Sequence, residues 1–279
     1  MVIAPEGYDP PSTRWSTCCR AAGRSTPLPC SGRGRPGGAG RPGLPVITVI
    51  VSGGKQGWCT DWATQDELTR DLGDLPPGAG GPVGGSHLST ATDREHRLVM
   101  GNSMGGYGPS RYAEDRPDLF GEAVSLSGVL DLSSQGRAPE LLGRVPRVHG
   151  AVGGGVGDGD FAAEEQWKAH DPMTHSASLK GVHVQLFAGQ GNGADRGHRA
   201  RSAGHHRHVR AGSSTPAASP CQYTEYGQVG ECDGGHVFQC WRPAAVVALG
   251  RWSEHVGIER AAGKPSVAPE FKAVTSGEG

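Results

Sequence analysis

Leu44 to Val51 (LPVITVIV) is an unbroken β-branched run. That is the pattern of a strand covered on both faces of a parallel sheet. His96 to Met100, Ala123 to Ser127 and Val182 to Phe187 are shorter runs of the same kind. Between the second and third strands, Met104 to Phe120 predicts a helix that Asp115-Arg116-Pro117 terminates. Ala162 to Ala169 predicts a short helix. Strands alternating with helices predict an α/β domain built on a mostly parallel, doubly wound sheet. Pro109 falls inside the helix after the second strand, where it removes a backbone donor and predicts a kink or an irregular first turn.

Three stretches break the pattern. Residues 11–41, 73–92 and 196–220 have no apolar period, and the last lacks any carboxylate. The chain holds 47 glycines and 21 prolines among 279 residues, close to twice average usage, and they are not spread evenly. Loops this long are uncommon inside a compact domain. Residues 1–255 are expected to form one domain and 256–279 a disordered tail.

Charge excludes more than it suggests. With 27 basic and 28 acidic side chains the net charge is −1, which gives no footprint for nucleic acid or an anionic membrane. No run reaches the length of a membrane span, and the start lacks a signal-peptide pattern, so the expected location is cytoplasmic unless the start is truncated. Seven cysteines without a C-x-x-C pair argue against a zinc cluster or a disulfide framework and predict free thiols. Gly189 to Ala194 fits G-x-G-x-x-A, but the helix and acidic residue that dinucleotide binding needs do not follow. His198, His205, His206 and His208 lack a spacing that would aim them at one ion.

The candidate chemistry begins at Gly101-Asn102-Ser103-Met104-Gly105, a G-x-S-x-G between a strand and a helix. A nucleophilic serine must stand clear of the sheet on a sharp turn, and glycines nearby permit that approach. Ser103 is therefore the candidate nucleophile.

Residues 98–134 (LVMGNSMGGYGPSRYAEDRPDLFGEAVSLSGVLDLSS) resemble the core of a serine-esterase family of α/β-hydrolases, which includes the esterase D-like enzymes and the antigen 85 mycolyltransferases. Three further patches are similar to that family, in its order and approximate spacing: VIAPEGYDP at 2–10, SGGKQGWCTDW at 52–62 and GGHVFQCW at 234–241. The resemblance implies an α/β-hydrolase fold and cleavage of a small-molecule or lipid acyl ester through an acyl-serine, with neither metal nor organic cofactor. It implies that His236 is the general base and that the Met104 N–H is an oxyanion donor. Trp58 and Trp62 would line the cleft or, equally, pack in the core. Family members are often secreted. Acyl transfer of the mycolyltransferase type, or a catalytically impaired product, are the alternatives to hydrolysis.

Two family features have no match. Cys18 to Gly23 stands where a Leu-Leu-His/Asp-Gly segment supplies the second oxyanion donor. Residues 196–224 contain no carboxylate where the catalytic acid is expected, which leaves Asp195 as the positional candidate, with Asp131 and Glu225 as alternatives. Out-of-frame translation of the three aberrant stretches accounts for both gaps. Leucine codons CTG-CTG read one base late give cysteine, and GC-rich DNA off frame gives Arg, Gly, Pro, Ala and Ser. Three-frame translation of the gene tests this: a frame that restores an apolar strand ending in Leu-Leu-x-Gly is required.

Overall fold

The structure is a computed structural model that describes residues 2–3, 14–19, 44–51, 59, 91, 93–132, 168–191, 196, 199, 203 and 220–259. Its centre is a seven-stranded sheet. The strands are β1 (Val2–Ile3), β2 (Arg14–Cys19), β3 (Val46–Val51), β4 (Arg97–Asn102), β5 (Glu122–Leu126), β6 (His183–Gly189) and β7 (Cys221–Tyr226), in the spatial order β1-β3-β2-β4-β5-β6-β7. β1 runs antiparallel to β3, and every other pairing in the sheet is parallel.

The four apolar runs become β3, β4, β5 and β6, within a residue or two of their expected bounds. Helix α1 (Met104–Asp115) links β4 to β5 and ends where the Asp-Arg-Pro sequence requires. It runs through Pro109, which leaves one backbone donor missing inside the helix. A short α2 (Pro172–His175) is capped by Asp171, whose side chain accepts from Met173 N. Helix α3 (Phe238–His255), which the pattern did not predict, closes the described chain. A two-stranded ribbon of β8 (Gln228–Val229) and β9 (Cys232–Asp233) precedes it. Of the expected helix at 162–169, Lys168 and Ala169 are described and helical, and the rest lies outside the described residues.

Strand alternation divides the core between the two faces. Val99, Ala123, Val184 and Leu186 join Tyr112, Ala113 and Phe120 on the α1 side. Leu98, Met100, Val124, Leu126 and Phe187 join Trp241, Ala245, Ala248 and Trp252 on the α3 side. Successive side chains of each strand are thus buried under opposite layers, as a doubly wound sheet demands.

One expectation needs correction. Residues 11–41 read as unpatterned, yet Arg14–Cys19 forms a strand between β3 and β4, in register Cys18↔Ile50 and Cys18↔Met100. Its position follows from two neighbours that each offer a parallel edge, a non-local cause invisible in a six-residue window. Much of 11–41, 73–92 and 196–220 lies outside the described residues. Within the last, Arg199 bonds Glu225 and Ala203 packs against the core.

Candidate active site

Ser103 occupies the single residue between β4 and α1. Its backbone sits at φ 56°, ψ −123°, a conformation that costs a non-glycine residue about 1–3 kcal/mol. The turn is held by Ser103 N donating to Leu126 O at 2.9 Å and Gly106 N donating to Ser103 O at 2.8 Å. Space for it comes from Gly106 and Gly128, whose backbones touch: a Cβ on Gly106 would lie 2.9 Å from Gly128 Cα. The Gly-Gly approach that matters is therefore one residue beyond the G-x-S-x-G frame, and Gly128 was not singled out from the sequence. Asn102 is fully buried beside the nucleophile, and neither of its amide atoms has a hydrogen-bond partner among the described residues.

His236 arrives on the loop between β9 and α3. The Ser103 hydroxyl lies 2.8 Å from His236 Nε2, although 133 positions separate the two in sequence. Trp241 meets the imidazole edge-on, with ring centroids 4.7 Å apart at 90°. Two other constraints hold the loop. Gly191 N donates to Gly234 O at 2.7 Å, an approach so close that a Cβ on Gly191 would lie 2.5 Å from that oxygen. The Gly189-Gln190-Gly191 run set aside as a dinucleotide fingerprint thus serves to seat the histidine loop. Cys232 and Cys240 form a disulfide with Cα atoms 4.6 Å apart, and His236 lies midway between them. The expectation of free thiols fails here because the ribbon and the first turn of α3 bring together cysteines that are eight residues apart.

Met104 is the first residue of α1. Amide groups in that position have no intrahelical acceptor, and the helix dipole adds partial positive charge there. β2 ends at Cys19, level with Gly101 and two residues short of Ser103.

The acid is the incomplete part. Asp195, Trp58 and Trp62 lie outside the described residues. Glu225 is committed elsewhere: it accepts from Arg199 Nε at 2.5 Å, Gln190 Nε2 at 3.2 Å and the Tyr223 hydroxyl at 3.2 Å. Asp131 is buried in the segment after β5. Tyr226 and Ser127 share a buried hydrogen bond at the carboxyl ends of β7 and β5, next to the elbow strand.

A strained serine at a strand–helix turn with an imidazole on its hydroxyl, at the carboxyl edge of a doubly wound parallel sheet, defines an α/β-hydrolase. Solved structures agree on the fold. That of MPT51 (FbpC1) from Mycobacterium tuberculosis superposes with a TM-score of 0.59 at 18% identity, covering 89% of this chain and 91% of that one. That of FphF, a fluorophosphonate-binding serine hydrolase of Staphylococcus aureus, gives 0.56 at 13% identity and covers 90% of each. The family described as "Putative esterase" matches residues 85–252, and the chain belongs to that esterase family. It is 30% identical over 165 residues to the diacylglycerol acyltransferase/mycolyltransferase Ag85B of Mycobacterium avium, covering 54% of this chain and 46% of that protein. It is 28% identical over 145 residues to the MPT51 antigen of Mycobacterium leprae (strain TN), covering 49% and 44%. The chain therefore spans slightly under half the length of these curated relatives. Among the described residues no helix is long and apolar enough to cross a membrane.

Proposed function

We propose that this protein is a serine esterase that hydrolyses a carboxylic acyl ester through an acyl-serine intermediate. The observation that carries the proposal is the 2.8 Å contact between the Ser103 hydroxyl and His236 Nε2. In the first half-reaction Ser103 Oγ attacks the ester carbonyl while His236 Nε2 takes its proton. The Met104 N–H, at the amino end of α1, donates to the oxyanion that forms. Collapse of the tetrahedral intermediate expels the alcohol, which receives the proton from His236. Water then repeats the sequence on the acyl-serine and releases the acid. Asp195 is assigned to orient the imidazole. Trp58 and Trp62 are assigned to the cleft.

A second reading is acyl transfer, favoured by the identity to Ag85B. It shares every step up to the acyl-serine and differs only in the acceptor, a sugar or glyceride hydroxyl in place of water.

A fluorophosphonate probe tests the common core. Stoichiometric labelling of Ser103, abolished in Ser103→Ala and slowed about 10³-fold or more in His236→Ala, is expected. A folded sample that does not label refutes the proposal and supports a catalytically impaired product. Release of acid from a p-nitrophenyl ester, against formation of a new ester when sugar or diacylglycerol is added, separates the two readings.

A further inference from the structure

A second cluster of chemically capable side chains lies at the opposite edge of the sheet. Glu122 is the first residue of β5, His183 the first of β6 and His255 the last of α3. Glu122 pairs in register with both Leu98 and His183, so it stands level with a β4 residue five positions before Ser103. At about 3.3 Å per strand residue the cluster is about 16 Å from the nucleophile.

We infer that Glu122, His183 and His255 form a binding site for a divalent transition-metal ion of the zinc class. One donor atom from each residue lies within 4.8 Å of the other two. Both Glu122 carboxylate oxygens are 3.2 Å from His183 Nδ1. Ligands at zinc distances of 2.0–2.2 Å, set at the tetrahedral angle, are about 3.4 Å apart. The Glu122–His183 pair already has that spacing. His255 is the outlying donor and must close by about 1 Å, which an exposed side chain at a helix end can do by a rotamer change. Its ring already meets that of His183, with centroids 4.5 Å apart.

The surroundings orient the carboxylate. The Glu122 side chain is 2% exposed, and Gln185 Nε2 donates to its Oε1 at 2.5 Å while also bonding Ala248 O. This fixes the carboxylate through Oε1 while Oε2 faces His183 Nδ1, the orienting arrangement that metal sites use. A cavity of about 250 Å³ opens beside the three residues and is lined also by Glu95, which is ion-paired with Arg94 Nε at 3.5 Å. Arg251 of the same helix bonds Thr224 Oγ1 at 2.9 Å and lies over the Phe187 ring, within electrostatic reach of Glu122, so a metal ion would share that carboxylate's charge with it. Two imidazoles and one carboxylate are the donor set of zinc sites that leave a coordination position open. All three residues line the cavity. Bound metal would tie the carboxyl end of α3 to β5 and β6, and the same helix begins two residues after His236.

Calorimetric titration of the full chain with Zn²⁺ tests the inference, in a Ser103→Ala background so that the result is independent of the esterase reading. One site is expected in the parent, weakened about tenfold or more in His255→Ala and again in His183→Ala, together with a rise in melting temperature that both variants lose. His255→Ala keeps the buried pair and is expected to fold. The inference fails if the parent does not bind Zn²⁺. It also fails if both variants bind with the parent's affinity and stoichiometry, which would assign the ion to other histidines such as His205 and His206.

Discussion

Ser103→Gly should be more stable than Ser103→Ala. Both variants lose the hydroxyl and its bond to His236, so that loss cancels between them. They differ by one Cβ at φ 56°, ψ −123°. Holding a non-glycine residue there costs about 1–3 kcal/mol. Against this, glycine gives up more conformational freedom on folding, about 0.5–1 kcal/mol relative to alanine. The balance favours glycine by about 1 kcal/mol, equivalent to about 2–4 °C in melting temperature for a domain of this size. Parallel urea and thermal melts of the two inactive variants measure it. If the alanine variant proves equal or more stable, the elbow is not strained, and the argument that Gly106 and Gly128 exist to permit the strained turn fails with it.

Other perturbations probe the supports of the site. Gly128→Ala would push a Cβ to 2.6 Å from the Gly106 carbonyl and against the Ser125 hydroxyl, costing about 1–3 kcal/mol. Its fluorophosphonate labelling should slow, and unchanged melting would refute the close-approach argument. Replacing Cys232 and Cys240 together by Ser removes a cross-link over eight residues, worth about 2.5 kcal/mol by loop-closure entropy. The double variant should melt lower than the oxidised parent and match the reduced one, and a parent whose melting ignores reductant would contradict the cross-link. Burial raises the Glu114 pKa well above its ordinary value, despite Arg111 Nη1 at 2.9 Å, and the nearby Asp115 and Asp171 charges add to the rise. A raised folded pKa means the native state holds the proton longer, so this part of the stability is whole below about pH 4.3 and lost as pH rises through the folded value. The stability gap between parent and Glu114→Gln should therefore shift against the parent as pH rises, and a pH-independent gap would refute the assignment.

What the sequence revealed was whatever a short window contains. The β-branched run at 46–51 and the apolar runs at 96–100 and 182–187 carry their own burial signal, and the Gly-rich turn carries its own sterics. β2 escaped because Arg14–Cys19 is a strand by virtue of β3 and β4 on either side of it. Helix α3 escaped because Pro243 and Gly250 interrupt its composition, while its buried face, including Ala244, Ala248 and Trp252, acquires meaning only against Val124 and Phe187. The disulfide escaped because C-x₇-C matches no motif, and only a ribbon folding back on a helix closes that distance. The Ser103–His236 contact was legible through family likeness alone, since no spacing rule covers residues 133 apart.

The same reasoning explains why a second site could sit in this chain unannounced. In a parallel sheet all carboxyl ends share one edge and all amino ends the other. The carboxyl edge gathers Ser103 after β4, the Ser127–Tyr226 pair after β5 and at the end of β7, and Gly191 after β6, which receives the histidine loop. The amino edge gathers Glu122 and His183 by the register that also sets the elbow strand level with its neighbours. A one-residue slip of β5 against β6 would turn Glu122 to the other face and part it from His183. It would also carry Leu126 O away from Ser103 N. The two edges therefore meet in β5, which pairs with β4 at the nucleophile's turn and with β6 at the cluster. If Zn²⁺ stabilises the chain through Glu122 and His183, that result independently supports the β5–β6 register, one of the two that fix where β5 sits.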